Sequence, residues 1–363
     1  MIYFIIAILL FFNYIYIYSK NSILKISNYF VIFMYIFFIG FAYFNFEDSY
    51  NYFTFFKYKI YSIDKGIYPL TTFEPLFVYY SMFVKYFTND FLIYQAITFT
   101  FEFFVIHFSL KKLFTFLNDI EFVYLKIILF FPFITTLLPA FRQSFAITIF
   151  IFSLTLFIDK KYIFFIIINL IGVLFHTSLI YCLPLYFIIF NNYFLQNKFI
   201  LFLLLILGFF SIPFNFSFNF IYDILQNSFF YKYIFRYTLL SDFHLKIGIL
   251  KKIELIFLFY FILIYNNSSE FKIQKSLFLL YFIFNMFFSG IIAHRIIMYF
   301  EIFYYISIFL LFYDIANKRV YNPYSRLFIL PLSYILCLYL FKFIDIFNPS
   351  IKGYFFPYNN YFF

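Results

Sequence analysis

Four groups of charged side chains in this 363-residue chain stand at the ends of long apolar runs, and their types suggest anion handling and acid–base work. The first is Arg142, in the stretch Leu138 to Ser144 (LPAFRQS). It follows Pro139 at the start of an apolar helix, so its guanidinium, the side amide of Gln143 and the free N–H groups of a helix N-terminus can converge on one anion. The competing reading is an arginine that snorkels to lipid phosphates. The second is His176, inside the apolar stretch 162–191 and followed by Thr177 and Ser178. It reads either as a base or as a histidine bonded to a backbone carbonyl. The third is His294–Arg295, placed by the sequence in a turn between two apolar runs. Glu301 lies seven residues after His294, on the same helix face about two turns along. A carboxylate in such a setting is costly alone, so Glu301 is expected to have a basic partner. The fourth is Glu47–Asp48 together with Glu74. Glu47 and Asp48 read first as solvated loop charges, with Asp48 kept as a candidate substrate contact, while Glu74 has apolar flanks. His107, Glu102 and Glu254 have no evident companion and read as helix-packing polar groups. The Tyr-rich segment from Phe230 to Tyr237, carrying Lys232 and Arg236, lines a glycan groove or serves as an interfacial anchor.

Several chemistries are excluded. The seven glycines never approach P-loop or dinucleotide spacing, and no Asp-x-Asp pair is present to hold a metal-bound nucleotide-sugar. Cys182 and Cys337 offer no disulfide, CxxC or zinc spacing, so neither cofactor nor metal is expected. The net charge of +10 comes from 26 basic residues scattered in ones and twos, which is no nucleic-acid footprint.

The elements that must position these residues are membrane helices. Apolar residues make up 66% of the chain and charged residues 12%, against about 45–50% apolar in soluble domains. A bilayer is therefore the expected solvent. The 73 Phe and 39 Tyr, with no Trp, read mostly as apolar filler and not as sugar-stacking platforms. The first eighteen residues lack a basic n-region and a small-residue cleavage site, and so read as a retained helix. Apolar runs predict spans near 2–18, 28–44, 91–110, 122–138, 141–158, 162–176, 177–191, 199–214, 247–265, 276–293, 296–313 and 327–344. The pair covering 162–191 reads alternatively as one long helix broken near His176. The expected fold is all-α: a single polytopic membrane domain over 1–363 with about twelve transmembrane helices. Alternate connections hold Lys20 and Lys25, Lys111 and Lys112, Lys160 and Lys161, Lys198, Lys272 and Lys275, and Lys318, Arg319 and Arg326. The positive-inside tendency makes these cytoplasmic. Outside then lie the loops 45–90 and 215–246, the tail 345–363, and the tight turns holding Arg142 and Arg295. Within the first outer loop, residues 72–86 read as an amphipathic or re-entrant helix, with Pro75 in its first turn and Glu74 at its positive end.

With these residues in hand, the chain resembles the EpsG family, a branch of the Wzy-type O-antigen and exopolysaccharide repeat-unit polymerases. The likeness rests on Phe73-Glu74-Pro75-Leu76-Phe77, and on Arg142-Gln143-Ser144-Phe145-Ala146 leading to Asp159-Lys160-Lys161, Phe175-His176-Thr177-Ser178 and Leu183-Pro184-Leu185-Tyr186. It extends to Arg295 with Met298-Tyr299-Phe300-Glu301. The resemblance implies joining of oligosaccharide repeats carried on undecaprenyl pyrophosphate, at the outer face of the bacterial inner membrane, without nucleotide. On that reading Arg142 and Arg295 hold the pyrophosphate and His176 or Glu74 is the base. Gln143, His294, Tyr299, Glu301, Arg236 and Asp48 are candidate substrate contacts. The expected partners are the lipid-linked oligosaccharide, the bilayer and a chain-length regulator. The alternatives are a lipid-linked oligosaccharide flippase, a membrane-embedded transferase of another glycosyl or acyl group, or a structural subunit of an export complex.

Overall fold

A computed structural model of the chain describes residues 49–60, 73–117, 141–186, 196–211, 214–215, 249–265, 272–289 and 291–317, with Phe122, Leu125 and Leu129 between them. The predicted spans 2–18, 28–44 and 327–344, Asp48, Arg236 and the tail 345–363 lie outside the described residues. What is described is helical apart from a two-residue parallel ladder, β1 (Phe214–Asn215) on β2 (Phe288–Ser289). Three described helices are long and apolar enough to cross a membrane: Phe91–Leu113, Phe141–Ile158 and Ala293–Leu310. Shorter apolar helices cover Tyr162–Phe175, Lys198–Phe210 and Ile273–Phe287. The chain divides into a first compact unit that runs through Ile166 and a second that begins at Ile167.

In the first unit, α1 (Ser49–Thr54) runs on into a π-helical turn, Phe55–Lys59. Helix α2 (Pro75–Phe87) starts where the sequence predicts: Glu74 is the N-cap and Pro75, with no N–H to satisfy, occupies the first turn. It buries Phe77, Val78, Ser81 and Val84, while Tyr79, Phe83, Tyr86 and Phe87 are exposed. Apolar surface on both faces suits a helix lying against lipid. Lys85 Nζ donates to the carbonyls of Phe56 and Lys57, lashing the π-helical turn to α2.

Helix α3 (Phe91–Leu113) is capped by Asp90, whose carboxylate accepts from the N–H of Leu92 at 2.7 Å and of Ile93 at 3.3 Å. Helix α4 (Phe141–Ile158) has the bounds its apolar run predicts. The two run parallel, because Lys112 at the end of α3 pairs with Asp159 at the end of α4, while Ser144 in the first turn of α4 meets Glu102 midway along α3. The connections holding Lys111–Lys112 and Lys160–Lys161 therefore share one end of this unit, as the alternation of loops requires. The last turn of α4 closes with the Lys160 N–H on Phe157 O at 2.8 Å and the Lys161 N–H on Leu156 O at 2.9 Å. Those two bonds form a Schellman cap whose left-handed position, usually a glycine, is filled by Lys160 at φ 60°.

Helix α5 (Tyr162–Phe175), most of which belongs to the second unit, ends at His176, whose extended backbone (φ −155°, ψ 118°) leads into a 3₁₀ segment, Thr177–Cys182. The expected span over 177–191 is thus not an α-helix in its described part. The break falls at His176, as the one-long-helix alternative places it, and Pro184 beyond it cannot restore an α-helical ladder. Next comes α6 (Lys198–Phe210), capped by the side chain of Asn197. A Cβ on its Gly208 would come within 2.9 Å of the Phe282 ring, so glycine there permits close helix packing. Helix α7 (Ile249–Phe259) runs into a π-helical stretch, Tyr260–Tyr265. Lys272 and Lys275, expected in a loop, instead open α8 (Lys272–Phe287), and Lys275 is buried.

Helix α9 (Ile291–Asn317) corrects another expectation: His294 and Arg295 are not in a turn but in its first turns. The break comes earlier, because Phe288 and Ser289 leave the helical path to pair with Phe214 and Asn215. Apolar side chains such as Ile163, Phe164, Phe199, Phe209 and Phe210 stay exposed, a surface that lipid solvates and water does not.

The cap of α4 yields a stability test. A non-glycine residue in the left-handed region costs about 1 kcal/mol. Lys160→Gly is expected to stabilise the detergent-solubilised protein by about that amount, read as an upward shift in thermal unfolding. An unchanged or lowered midpoint would show that the lysine side chain outweighs its backbone strain.

Candidate functional site

The described site residues of the first unit converge on one ion pair. Arg142 Nη1 donates to Glu74 Oε2 at 2.5 Å across 68 residues of sequence. The Glu74 side chain is 3% exposed and that of Arg142 is 17% exposed, so solvent reaches the guanidinium and hardly reaches the carboxylate. The Arg142 guanidinium carbon lies 4.4 Å from the centroid of the Phe73 ring. Around the pair, Tyr52 stacks on Phe73 at 5.7 Å and meets Phe141 at 5.2 Å, and Phe77 meets Phe141 edge-on at 6.0 Å. These rings wall off water and lower the local dielectric, which strengthens every charge–charge term at the pair.

Backbone electrostatics add to this. Glu74 is the N-cap of α2 and Arg142 is the second residue of α4, so two helix N-termini meet at the pair. Each contributes about half a positive charge. With one guanidinium and one carboxylate besides, the site keeps a net positive character of about one charge. An arginine at a helix N-terminus is badly placed unless an anion faces it. Glu74 is that anion in the resting protein, and a phosphate oxygen offers the guanidinium the same fork geometry. Gln143, the neighbour of Arg142, is buried.

The second unit holds the other described candidates. His176 is buried, its N–H bonded to Gly172 O at 2.9 Å and its carbonyl accepting from the Leu179 N–H at 3.2 Å. Two residues on, Ser178 Oγ and Tyr299 Oη lie 2.9 Å apart, tying the 3₁₀ segment to α9. Arg295 stands one helical turn before Tyr299 and so shares its face. The structure thereby brings the His176 segment to the Arg295–Tyr299 side of α9. His294 and Glu301 flank that face on the same helix, both half-buried.

Two polar groups for which the sequence offers no evident companion have one. Glu254 pairs with Lys251 at 3.3 Å, whose Nζ also sits 3.7 Å from the centroid of the Tyr304 ring. Glu301 lies within electrostatic reach of the same Lys251, which answers the expected need for a basic neighbour. Tyr304 in turn stacks on Tyr281 at 5.0 Å. The i,i+3 spacing of Lys251 and Glu254 was the sequence signal for this cluster. Glu102 likewise has a companion in Ser144.

Compared with known proteins, the chain matches the family described as EpsG over residues 25–360. No curated protein and no solved structure matches it.

The ion pair makes a measurable prediction. Removing one partner of such a pair costs about 3–5 kcal/mol, because the other charge is left uncompensated. Glu74→Leu and Arg142→Met alone are each expected to lose about that much in detergent unfolding, and the double variant less than their sum. Strict additivity in this cycle would mean that the two side chains do not interact.

Proposed function

The chain belongs to the EpsG family, and from that premise we propose that it is a membrane-embedded polymerase that joins oligosaccharide repeat units carried on undecaprenyl pyrophosphate, at the outer face of the bacterial inner membrane. The observation that carries this reading is the Glu74–Arg142 pair, an arginine at the meeting of two helix N-termini, already holding an oxyanion in a ring-walled, half-open site.

The mechanism follows from exchange of anions on that arginine. The donor pyrophosphate takes the Arg142 guanidinium and displaces the Glu74 carboxylate. Glu74 is then an acceptor with no cation to satisfy it, held close to the phosphate that displaced it. The acceptor hydroxyl attacks the anomeric carbon and forms the new C–O bond as the bond from that carbon to the pyrophosphate breaks. The hydroxyl proton passes to Glu74, and the lipid pyrophosphate leaves with its charge on the guanidinium. Binding and base release are thus one event, so Glu74 is uncovered only when donor is present. Arg295 is assigned as a further pyrophosphate contact and His176 as an alternative proton acceptor. Gln143, His294, Tyr299 and Glu301 are assigned as substrate contacts. Asp48 and Arg236 are assigned as further substrate contacts, and a chain-length regulator is the proposed protein partner.

Deletion of the gene is expected to leave surface glycan of a single repeat, whereas loss of a flippase would leave none. Arg142→Ala and Arg295→Ala should each abolish long chains while the protein still inserts. Arg142→Lys, which keeps the charge and loses the planar fork, should retain short ladders only. A full ladder in the deletion strain, read on gels of extracted glycan, would end the polymerase reading. Normal ladders from both alanine variants would end the assignment of the arginines.

A further inference from the structure

Glu102 has no part in that mechanism, yet its surroundings carry an unusual hydrogen count. It stands midway along α3, 2% exposed, within electrostatic reach of Tyr80 on α2 and Tyr94 on its own helix. Both are phenols, uncharged at neutral pH. Tyr80 bonds to Thr98 and Tyr94 to Ser81, so neither donates to the carboxyl in this arrangement. From α4 comes Ser144, its Oγ 2.8 Å from Glu102 Oε1. The other carboxyl oxygen, Oε2, is buried and has no hydrogen-bond partner among the described residues.

Ser144 Oγ also lies 2.7 Å from the carbonyl oxygen of Phe141. A serine hydroxyl carries one hydrogen and a carbonyl can only accept. Were Glu102 ionised, the Ser144 hydrogen could serve Glu102 or Phe141 but not both. One contact would then be two oxygen lone pairs face to face, and Oε2 would be a charged atom buried without a donor. If Glu102 carries its proton, both contacts close. Glu102 donates to Ser144, Ser144 donates to Phe141, and Oε2 is left as a neutral carbonyl-type acceptor, far cheaper to bury than a charge.

We propose that Glu102 is held as an un-ionised carboxylic acid, that the relay Glu102 to Ser144 to the Phe141 carbonyl pins the first turn of α4, and that Glu102 is thereby a positioning residue for Arg142. The carbonyl at the end of the relay belongs to the residue immediately before Arg142. Ionisation of Glu102 turns the Ser144 hydroxyl around and releases that carbonyl, loosening the turn from which Arg142 reaches Glu74. The positioning half of this inference rests on the polymerase reading, and the protonation half does not.

The test therefore has two arms. Infrared spectra of the purified full chain in lipid nanodiscs at neutral pH are expected to show the carbonyl stretch of an un-ionised carboxylic acid, and Glu102→Gln to lose it. An identical spectrum in the two proteins overturns the proposal whatever the enzyme does. In the deletion strain, Glu102→Gln, whose amide N–H still donates to Ser144, should restore the full ladder of chain lengths. Glu102→Ala and Ser144→Ala, both verified as inserted, should lose its long-chain part. Short ladders from Glu102→Gln, or full ladders from both alanine variants, overturn the positioning role. If the polymerase reading itself fails, the deletion strain keeps its ladder and the infrared arm still decides.

Discussion

An arginine that begins a helix in an apolar setting must be answered by an anion, and the architecture of the first unit follows from how that is done. The guanidinium of Arg142 meets the positive end of its own helix, which lipid does nothing to screen. Glu74 supplies the missing charge, and to deliver it the short helix Pro75–Phe87 must lie with its N-terminus against that of Phe141–Ile158. Phe73, Tyr52, Phe77 and Phe141 then close around the pair. At the far end, Lys112 and Asp159 join Phe141–Ile158 to its parallel neighbour Phe91–Leu113. Two charge locks act at opposite ends of Phe141–Ile158, the half-open one tying it to Pro75–Phe87 and the other to Phe91–Leu113, with the Ser144–Glu102 contact and apolar packing between them.

How far this was legible in the sequence depends on whether the deciding contact is local. The bounds of Phe141–Ile158, the cap at Glu74-Pro75 and the break at His176 each follow from a few neighbouring residues, and each was readable. That Glu74 reaches Arg142 was not, because 68 residues separate them and charge type alone does not choose among several arginines. The same holds for Ser144 and Glu102, where a hydroxyl common in membrane helices gives no sign of which carboxyl it will meet. The turn expected at His294–Arg295 lies elsewhere for a related reason. Charged residues between apolar runs usually mark a turn, but here the chain breaks at Phe288–Ser289 to pair with a segment far away in sequence. The Lys251–Glu254 pair is local, but it is hidden in a run that looks like a plain membrane span.

The aromatic excess also takes on a more exact role. An abundance of Phe reads as filler when counted, and most rings do fill space. Phe73 differs from the others by position alone: one residue before Glu74, it faces the guanidinium that Glu74 holds. Rings are stiff, with two side-chain torsions each, so a wall of them fixes the pair at little cost in conformational entropy. A Leu-rich wall of equal volume would leave the guanidinium more freedom. The composition supplies the material, and the neighbourhood of the charges decides which rings matter.

The parallel pair has a consequence for the membrane itself. Arg142 and Asp159 are 17 positions apart in sequence, which at about 1.5 Å per residue places the two charge locks about 25 Å apart along the helix. That is a few ångströms less than the hydrocarbon thickness of an average bilayer, about 30 Å. A span shorter than the hydrocarbon cannot be matched by tilting, which would only shorten its reach, so the lipid thins around it. A thinned collar lowers the phosphate plane toward the arginine, and a lipid headgroup arriving there has a shorter descent than anywhere else along the bilayer.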